Sequence, residues 1–112
     1  MNFTKDEKLA IAKALEELVI SDEVITKEEI AYLQYLDKEF GISLEIFEES
    51  HSIRLSNATK SLRNMTFEKK LLLTALLKNL AASDGYIANI EVEVINAVLA
   101  SAGINHKFVF LD

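Results

Sequence analysis

The sequence contains no cysteine. This absence excludes disulfide bonds, thiolate nucleophiles and zinc sites with cysteine ligands, and it is the usage expected of a cytoplasmic protein. Proline is absent as well, and no run of glycine and serine lies in the middle of the chain. Residues 43–65 therefore lack the composition of a flexible linker, and we expect them to belong to the fold.

Positive charge is also scarce. Twelve Lys and Arg residues stand against 18 Asp and Glu, for a net charge of −6, and the basic residues are scattered singly. Nucleic acids and anionic membrane surfaces are poor partners for such a chain, whereas cations or a basic protein would suit it. The longest nearly apolar run, Leu71–Leu77, has seven residues, too few to span a membrane. No apolar run follows a basic start, so we expect no secretory signal.

What the sequence does have is the length and composition of one globular domain. Its 112 residues are 50% hydrophobic and 27% charged, a balance typical of folded chains. A chain of this length can bury one core but not two. We expect a single domain spanning residues 1–112.

The most informative pattern is an internal repeat with an offset of 62 residues. It aligns residues 2–43 with residues 64–105 without a gap, and 12 of the 42 aligned pairs are identical. Chance similarity between amphipathic helices would match leucines, but it would seldom also match a cap, a loop acid and a closing glycine. We therefore interpret the repeat as a duplication.

Each copy predicts a helix, a loop and a second helix. Thr4 and Thr66 mark the first helices as N-caps. Residues 71–80 leave almost no polar face, so we expect the first helix of the second copy to be the buried centre of the domain. Residues 90–94 alternate like a strand, but their counterparts, 28–32, belong to a clear helix, and the repeat predicts a helix in both places.

Residues 44–63 connect the copies and predict two short helices, one from 44 to about 51 and one ending near 63. The tail from residue 105 aligns with the first of these, and we expect its two phenylalanines to cover an edge of the core. The sequence thus predicts an all-α, compact bundle of about six to seven helices built from a duplicated helix–loop–helix unit.

The loop of each copy carries acidic residues with part of an EF-hand spacing. Asp84-Gly85-x-Ile87-x-x-x-Glu91 matches the second half of a calcium loop, but the positions of the leading carboxylates are apolar, which excludes an ordinary EF-hand. The internal symmetry could still bring two half-sites together into one site. Four carboxylates this close would repel each other, so such a site would need a divalent cation (Ca, Mg or Mn) between them. The candidate metal ligands are Asp22, Glu29, Asp84 and Glu91.

A structural interpretation of these acids stands beside the metal hypothesis. Acids at helix N-termini are stabilised by the helix dipole by about 0.3–1 kcal/mol each. Residues 26–29 also read as a capping box, which gives Glu29 a structural role. In the second copy Ala88 replaces Thr26, so Glu91 has no box to complete, and the purely structural account is weaker there.

The paired loops, each reading Ser-Asp-(Glu or Gly)-x-Ile-x-x-x-Glu after an apolar helix, resemble the tellurite-resistance TerB-like family. The resemblance covers about residues 3–104 and rests on a short motif that occurs twice. It implies an all-α fold of about seven helices with pseudo-twofold symmetry and a cluster of the four acids named above, associated with divalent-cation binding. It also implies a role in stress response and membrane-linked complexes, without enzymatic activity. Glu23 stands where the family usually has glycine, so the first loop departs from the family's motif, whereas the second, with Gly85, keeps it.

Other candidates for chemistry are few. His51 and His106 are the only histidines, no motif fixes their relative position, and we interpret both as surface or boundary residues. No serine lies in a nucleophile setting and no glycine-rich phosphate loop occurs, so we do not expect an enzyme. A small hydrolase using the loop carboxylates is the enzymatic alternative.

The sequence favours a non-enzymatic, TerB-like helical module that binds a divalent cation in a stress-response or interaction role. The main alternative is a protein–protein adapter whose loop acids only cap helices. Tyr32 and Tyr35 flank Leu33 and Leu36, which we expect to be buried, and the two tyrosines are therefore expected to be half-exposed. Tyrosines in such positions occur in partner interfaces, and simple packing at the edge of the core is the alternative.

Overall fold

The computed structural model describes residues 2–21, 27–81 and 89–104 of the chain. Over these ranges the chain forms six α-helices and no β-strand, which confirms the all-α prediction. The radius of gyration of the Cα atoms is 12.9 Å, close to the ~13 Å expected of a compact domain of this length. None of the described helices is long and apolar enough to cross a membrane. The helices are α1 (Lys5–Ser21), α2 (Lys27–Phe40), α3 (Leu44–Ser50), α4 (Leu55–Asn64), α5 (Phe67–Ala81) and α6 (Asn89–Ser101).

The helix positions follow the sequence predictions closely. The two short connecting helices predicted over residues 44–63 are α3 and α4, and the alternating segment 90–94 lies in α6. α5 begins 62 residues after α1, and α6 begins 62 residues after α2, which is the offset of the sequence repeat. The tail from residue 105, with its two phenylalanines, lies outside the described residues.

Both first helices begin at a threonine cap. The Glu7 amide donates to Thr4 Oγ1 (3.2 Å) and the Thr4 amide donates to Glu7 Oε1 (2.8 Å), which completes a reciprocal capping box. At the start of α5 the Lys69 amide donates to Thr66 Oγ1 (3.2 Å). In each helix a first-turn amide that lacks an intrahelical acceptor thereby gains one.

Both second helices end at a glycine with positive φ. The φ angle is 70° at Gly41 and 76° at Gly103, a conformation that costs other L-residues energy. After α6 the Ile104 amide donates to the Leu99 carbonyl (2.9 Å), as in a Schellman motif. After α2 the Gly41 amide donates to the Asp37 carbonyl (3.0 Å), as in the simpler left-handed cap. The left-handed turn at Gly41 redirects the chain from α2 into α3.

The centre of the fold is α1, and the prediction that α5 takes this place is wrong. α1 makes its main contacts with α3, α4, α5 and α6, and small alanines at 10, 12 and 14 allow close approach on several sides. Only one stripe of α5 faces the core, because Phe67 is 74% exposed and Leu71 is 47% exposed. The largest fully buried apolar side chains are Ile11, Leu15, Leu36, Ile42, Leu73, Leu77, Leu80, Ile95 and Leu99.

An ion pair joins equivalent positions of the two copies. Lys69 Nζ lies 2.7 Å from Glu7 Oε1, and the two side chains are only 19% and 14% exposed. The two residues are 62 positions apart, and contact between equivalent positions is what a twofold axis between the copies would produce. Lys69 Nζ also lies 5.7 Å from the centroid of the Phe3 ring, within the range of a cation–π contact.

This pair determines the ionisation of Glu7. Burial by itself would raise the pKa of Glu7, but hydrogen bonds from Lys69 and Thr4 and the ammonium charge of Lys69 outweigh it. The pKa of Glu7 therefore lies below its ordinary value, and the side chain is a carboxylate at neutral pH.

Candidate functional site

The four predicted metal ligands fall mostly beyond what the structure describes. Asp22 and Asp84 lie outside the described residues, and Glu29 and Glu91 are placed only by their helices, each as the third residue, in α2 and α6 respectively. Among the described residues, no three side chains of His, Cys, Asp or Glu form a group that could hold a metal ion. The four-carboxylate site stays a prediction.

The described residues do form an open apolar groove of about 510 Å³ between α1, α2 and α3, here called the α2–α3 groove. Ile30 and Leu44 stand at its edges and are 47% and 72% exposed. Ile42 is buried at its base, and Leu33 and Phe47 are half-buried. Its lining consists of Glu16, Ile30, Leu33, Gln34, Asp37, Ile42, Leu44 and Phe47.

Local sequence signals determine where the two helices that line this groove end and begin. The left-handed Gly41 ends α2, and two residues later Ser43 begins α3 by accepting a hydrogen bond from the Ile46 amide at 3.3 Å. Across this tight connection, residues of α2 and α3 line the same groove. Leu44 is the first residue of α3, and no described neighbour covers most of its side chain.

An acidic side chain on α1 is anchored at the edge of the groove. Glu16 Oε1 lies 3.0 Å from His51 Nε2, and Glu16 Oε2 lies 3.5 Å from the hydroxyl of Ser50. The buried Ser50 hydroxyl also donates to the Phe47 carbonyl at 2.6 Å. His51 is a surface residue with 59% of its side chain exposed, within the prediction of a surface or boundary position. No sequence motif links Glu16 of α1 with His51, the residue that follows α3, so this contact was not predictable.

The two tyrosines of α2 are half-exposed, as predicted. Tyr35 is 46% exposed and Tyr32 is half-buried, and their rings stack with centroids 5.6 Å apart. Phe40 meets Tyr35 edge-to-face at 6.0 Å, and Phe3 meets Phe40 in the same way at 6.1 Å. These four rings form an aromatic edge that runs along α2 to the start of α1.

The hydroxyl of Tyr32 lies at the inner side of this edge. Burial raises the pKa of Tyr32 to about 12, and the nearby side-chain amide of Asn79 on α5 acts in the opposite direction. The hydroxyl oxygen is inaccessible to solvent, and no described atom has hydrogen-bond geometry with it. The contact between Tyr32 and Asn79 shows that α2 and α5 are neighbours.

Among known proteins, the chain is similar in sequence and fold to a solved structure whose function is unknown. No protein-family model matches the chain, and no curated protein matches it. A solved structure does: the protein of unknown function PG1108 from Porphyromonas gingivalis W83 is 28% identical, with a TM-score of 0.77. The similarity covers 95% of this chain and 83% of that protein. The two proteins share their fold over nearly the whole of this chain.

Proposed function

We propose that this chain is a non-enzymatic, TerB-like helical module that acts by binding another protein through the α2–α3 groove. The observation that carries the proposal is the exposure of Leu44 (72%) of α3 and Ile30 (47%) of α2 in the lining of one mainly apolar groove. Grooves of this kind receive the apolar face of an amphipathic helix. The repeated loop motif, which resembles that of the TerB-like family, favours a stress-response setting for that interaction.

The charge around the groove indicates the chemistry of the partner. Glu16 and Asp37 contribute carboxylates to its lining, and the described part of the lining includes no lysine or arginine. The chain as a whole carries a net charge of −6. An amphipathic helix with basic residues beside its apolar face would match both the floor and the rim.

Site-specific photo-crosslinking tests the proposal. A photoreactive amino acid at position 44 should capture a protein in cells of the source organism, whereas the same group at the exposed Ser56 on α4 should not. With the captured protein purified, Leu44→Asp should raise Kd about tenfold or more, and Asp37→Lys should weaken binding through its charge. Leu55→Asp is the matched control, because Leu55 is also exposed (57%) but lies on α4. Equal weakening by Leu55→Asp, or no capture above the Ser56 background, would count against the groove.

A divalent cation is the second candidate, as a ligand that stabilises the same module. Glu29 and Glu91 occupy the same position in α2 and α6, and each copy carries an aspartate seven residues earlier. This repeated placement of carboxylates is what favours the cation. Titration with calcium, magnesium or manganese should raise the melting temperature and shift amide resonances of both loops.

The variants for the cation experiment are closely matched. Glu91→Gln should abolish the response to metal, whereas Glu93→Gln, at an exposed position two residues along α6, should not. If millimolar metal leaves both the melting temperature and the amide spectrum unchanged, the cation proposal is wrong and the protein-binding proposal stands alone.

A further inference from the structure

A pair of identical leucines shows that the two copies are covered differently. Leu9 on α1 and Leu71 on α5 are equivalent in the repeat, yet Leu9 is 7% exposed and Leu71 is 47% exposed. α4 accounts for the difference, since it packs against α1 and its Asn57 and Ala58 lie beside Leu9. No described helix takes the corresponding place on α5.

The place that α4 occupies has a counterpart elsewhere in the fold. α4 lies in the groove between α1 and α6 and borders Ala10 and Lys13 of the former and Ala97 and Ser101 of the latter. Shifting these positions by the repeat offset leads to α5 and α2, which are neighbours through the contact of Asn79 with Tyr32. With Glu68 and Leu71, the counterparts of Asp6 and Leu9 beside α4, the exposed part of this surface consists of Tyr35, Glu39, Glu68, Leu71 and Ala75 and is here called the α2–α5 face. Leu72, the counterpart of Ala10, is half-buried beneath it.

The two capping glycines give independent support for an unfilled place. A Cβ at Gly103 would lie 3.8 Å from Arg63 of α4 and 4.0 Å from Lys70. A Cβ at Gly41 would meet Lys8, the counterpart of Lys70, but nothing that corresponds to Arg63. The second copy thus has a helix over its closing glycine, and the first copy lacks the equivalent neighbour among the described residues.

Charge complementarity identifies the kind of helix that fits. α4 and its N-cap carry Arg54, Lys60 and Arg63 and no acidic residue. Arg63 Nε donates to the Ser101 carbonyl at 2.8 Å. On the α2–α5 face the counterpart of Ser101 is Glu39, so an arginine placed like Arg63 would meet a carboxylate as well as the carbonyls at the end of α2. Glu68 adds a second exposed carboxylate.

We propose that the α2–α5 face is a second docking site, distinct from the α2–α3 groove, and that it receives a short basic amphipathic helix from a partner protein. The bound helix resembles α4: apolar residues spaced like Leu55, Ala58 and Leu62 face Leu71 and Ala75. A basic residue near its C-terminal end pairs with Glu39.

A synthetic peptide of residues 53–65 of this chain serves as the probe. Because so short a helix is marginal in isolation, the ¹⁵N-labelled full chain is titrated with peptide to about 1 mM. Saturable shifts should cluster at Tyr35, Leu71 and Ala75. Leu71→Glu and Glu39→Lys should each weaken binding about tenfold. Leu44→Glu, at an even more exposed leucine in the α2–α3 groove, should leave binding of the peptide unchanged.

Several results would overturn the proposal. No saturable shift, shifts confined to the α1–α6 groove where the peptide displaces α4, or shifts in the α2–α3 groove would each do so. Unchanged binding by Leu71→Glu would do the same. Sedimentation analysis tests whether a second copy of the chain occupies the face instead. If the chain forms a dimer and Leu71→Glu dissociates it, the face binds a second copy and the proposal is wrong. Failure of this experiment leaves the α2–α3 groove untouched, because the Leu44 crosslink is measured separately.

Discussion

Exchanging the charges of Glu7 and Lys69 tests whether the two copies meet at these positions as equivalents. Lys69→Glu alone would bring two carboxylates together at a contact that is now 2.7 Å from nitrogen to oxygen. Adding Glu7→Lys restores one acid and one base in the opposite order. Because Thr66 caps α5 as Thr4 caps α1, the introduced glutamate can complete a capping box with Thr66.

The expected magnitudes follow from the burial of the pair. The single variant loses a charge-assisted hydrogen bond between side chains that are 14% and 19% exposed and gains a like-charge contact. We expect the free energy of unfolding to fall by about 3 kcal/mol at pH 7. The double variant should recover all but about 1 kcal/mol, the contribution of the cation–π contact with Phe3, whose counterpart in the repeat is Met65.

Urea unfolding followed by circular dichroism at pH 7 and at about pH 3.5 measures both effects. The folded pKa of Glu7 lies below the unfolded value of 4.5, so its ionisation stabilises the native state above that value. This stabilisation is lost as the pH falls through the folded pKa. The loss in free energy of unfolding caused by Lys69→Glu should therefore be smaller in acid, because protonation removes the negative charges of both Glu7 and the introduced glutamate.

A double variant no more stable than Lys69→Glu would refute the reasoning, because positions 7 and 69 would then not be interchangeable. A deficit that persists undiminished in acid would show that the loss is not electrostatic. Lys5→Glu provides the control: its pair with Glu49 is 3.2 Å long but 67% and 46% exposed. That exposed pair should contribute less than about 1 kcal/mol.

Three further predictions concern the two capping glycines, the buried hydroxyl of Tyr32, and the leucines at positions 9 and 71. Gly41→Ala and Gly103→Ala should each lower stability in thermal unfolding by about 1–2 kcal/mol, since φ is 70° and 76°; native-like melting would contradict this. Tyr32→Phe should be neutral or stabilising by up to about 1 kcal/mol, because the buried hydroxyl has no described partner. In an absorbance titration one tyrosine should ionise near pH 12, and native stability should fall from about pH 10 toward that value, less steeply in Tyr32→Phe. Leu9→Ala should cost about 2–4 kcal/mol in urea unfolding and Leu71→Ala less than about 1 kcal/mol; equal costs would refute the difference in cover.

Much of the fold was predictable because local signals mark where its helices begin and end. Threonine caps start α1 and α5, and glycines with positive φ end α2 and α6. Residues 90–94 show how the repeat improves on local pattern, since their alternation alone predicts a strand. The repeat aligns them with residues 28–32, which predict a helix, and the segment lies in α6.

Which helix lies at the centre was not predictable from the amount of leucine. α5 has more leucine than α1, but α3 and α4 pack against α1, and only the three-dimensional arrangement decides which copy they cover. The α2–α3 groove and the Glu16–His51 contact were not predictable for the same reason, because both join residues from separate segments of the chain that only the three-dimensional packing brings together. The metal hypothesis rests on the sequence alone, because Asp22 and Asp84 lie outside the described residues.

The Glu7–Lys69 contact has a consequence for how the halves recognise each other. Two first copies paired in this way would oppose two carboxylates, and two second copies would oppose two ammonium groups, in a site that is largely shielded from water. Only the mixed pair is electrostatically satisfied. Each half therefore selects the other over a copy of itself, and the charges at one contact favour association within the chain over exchange of halves between chains.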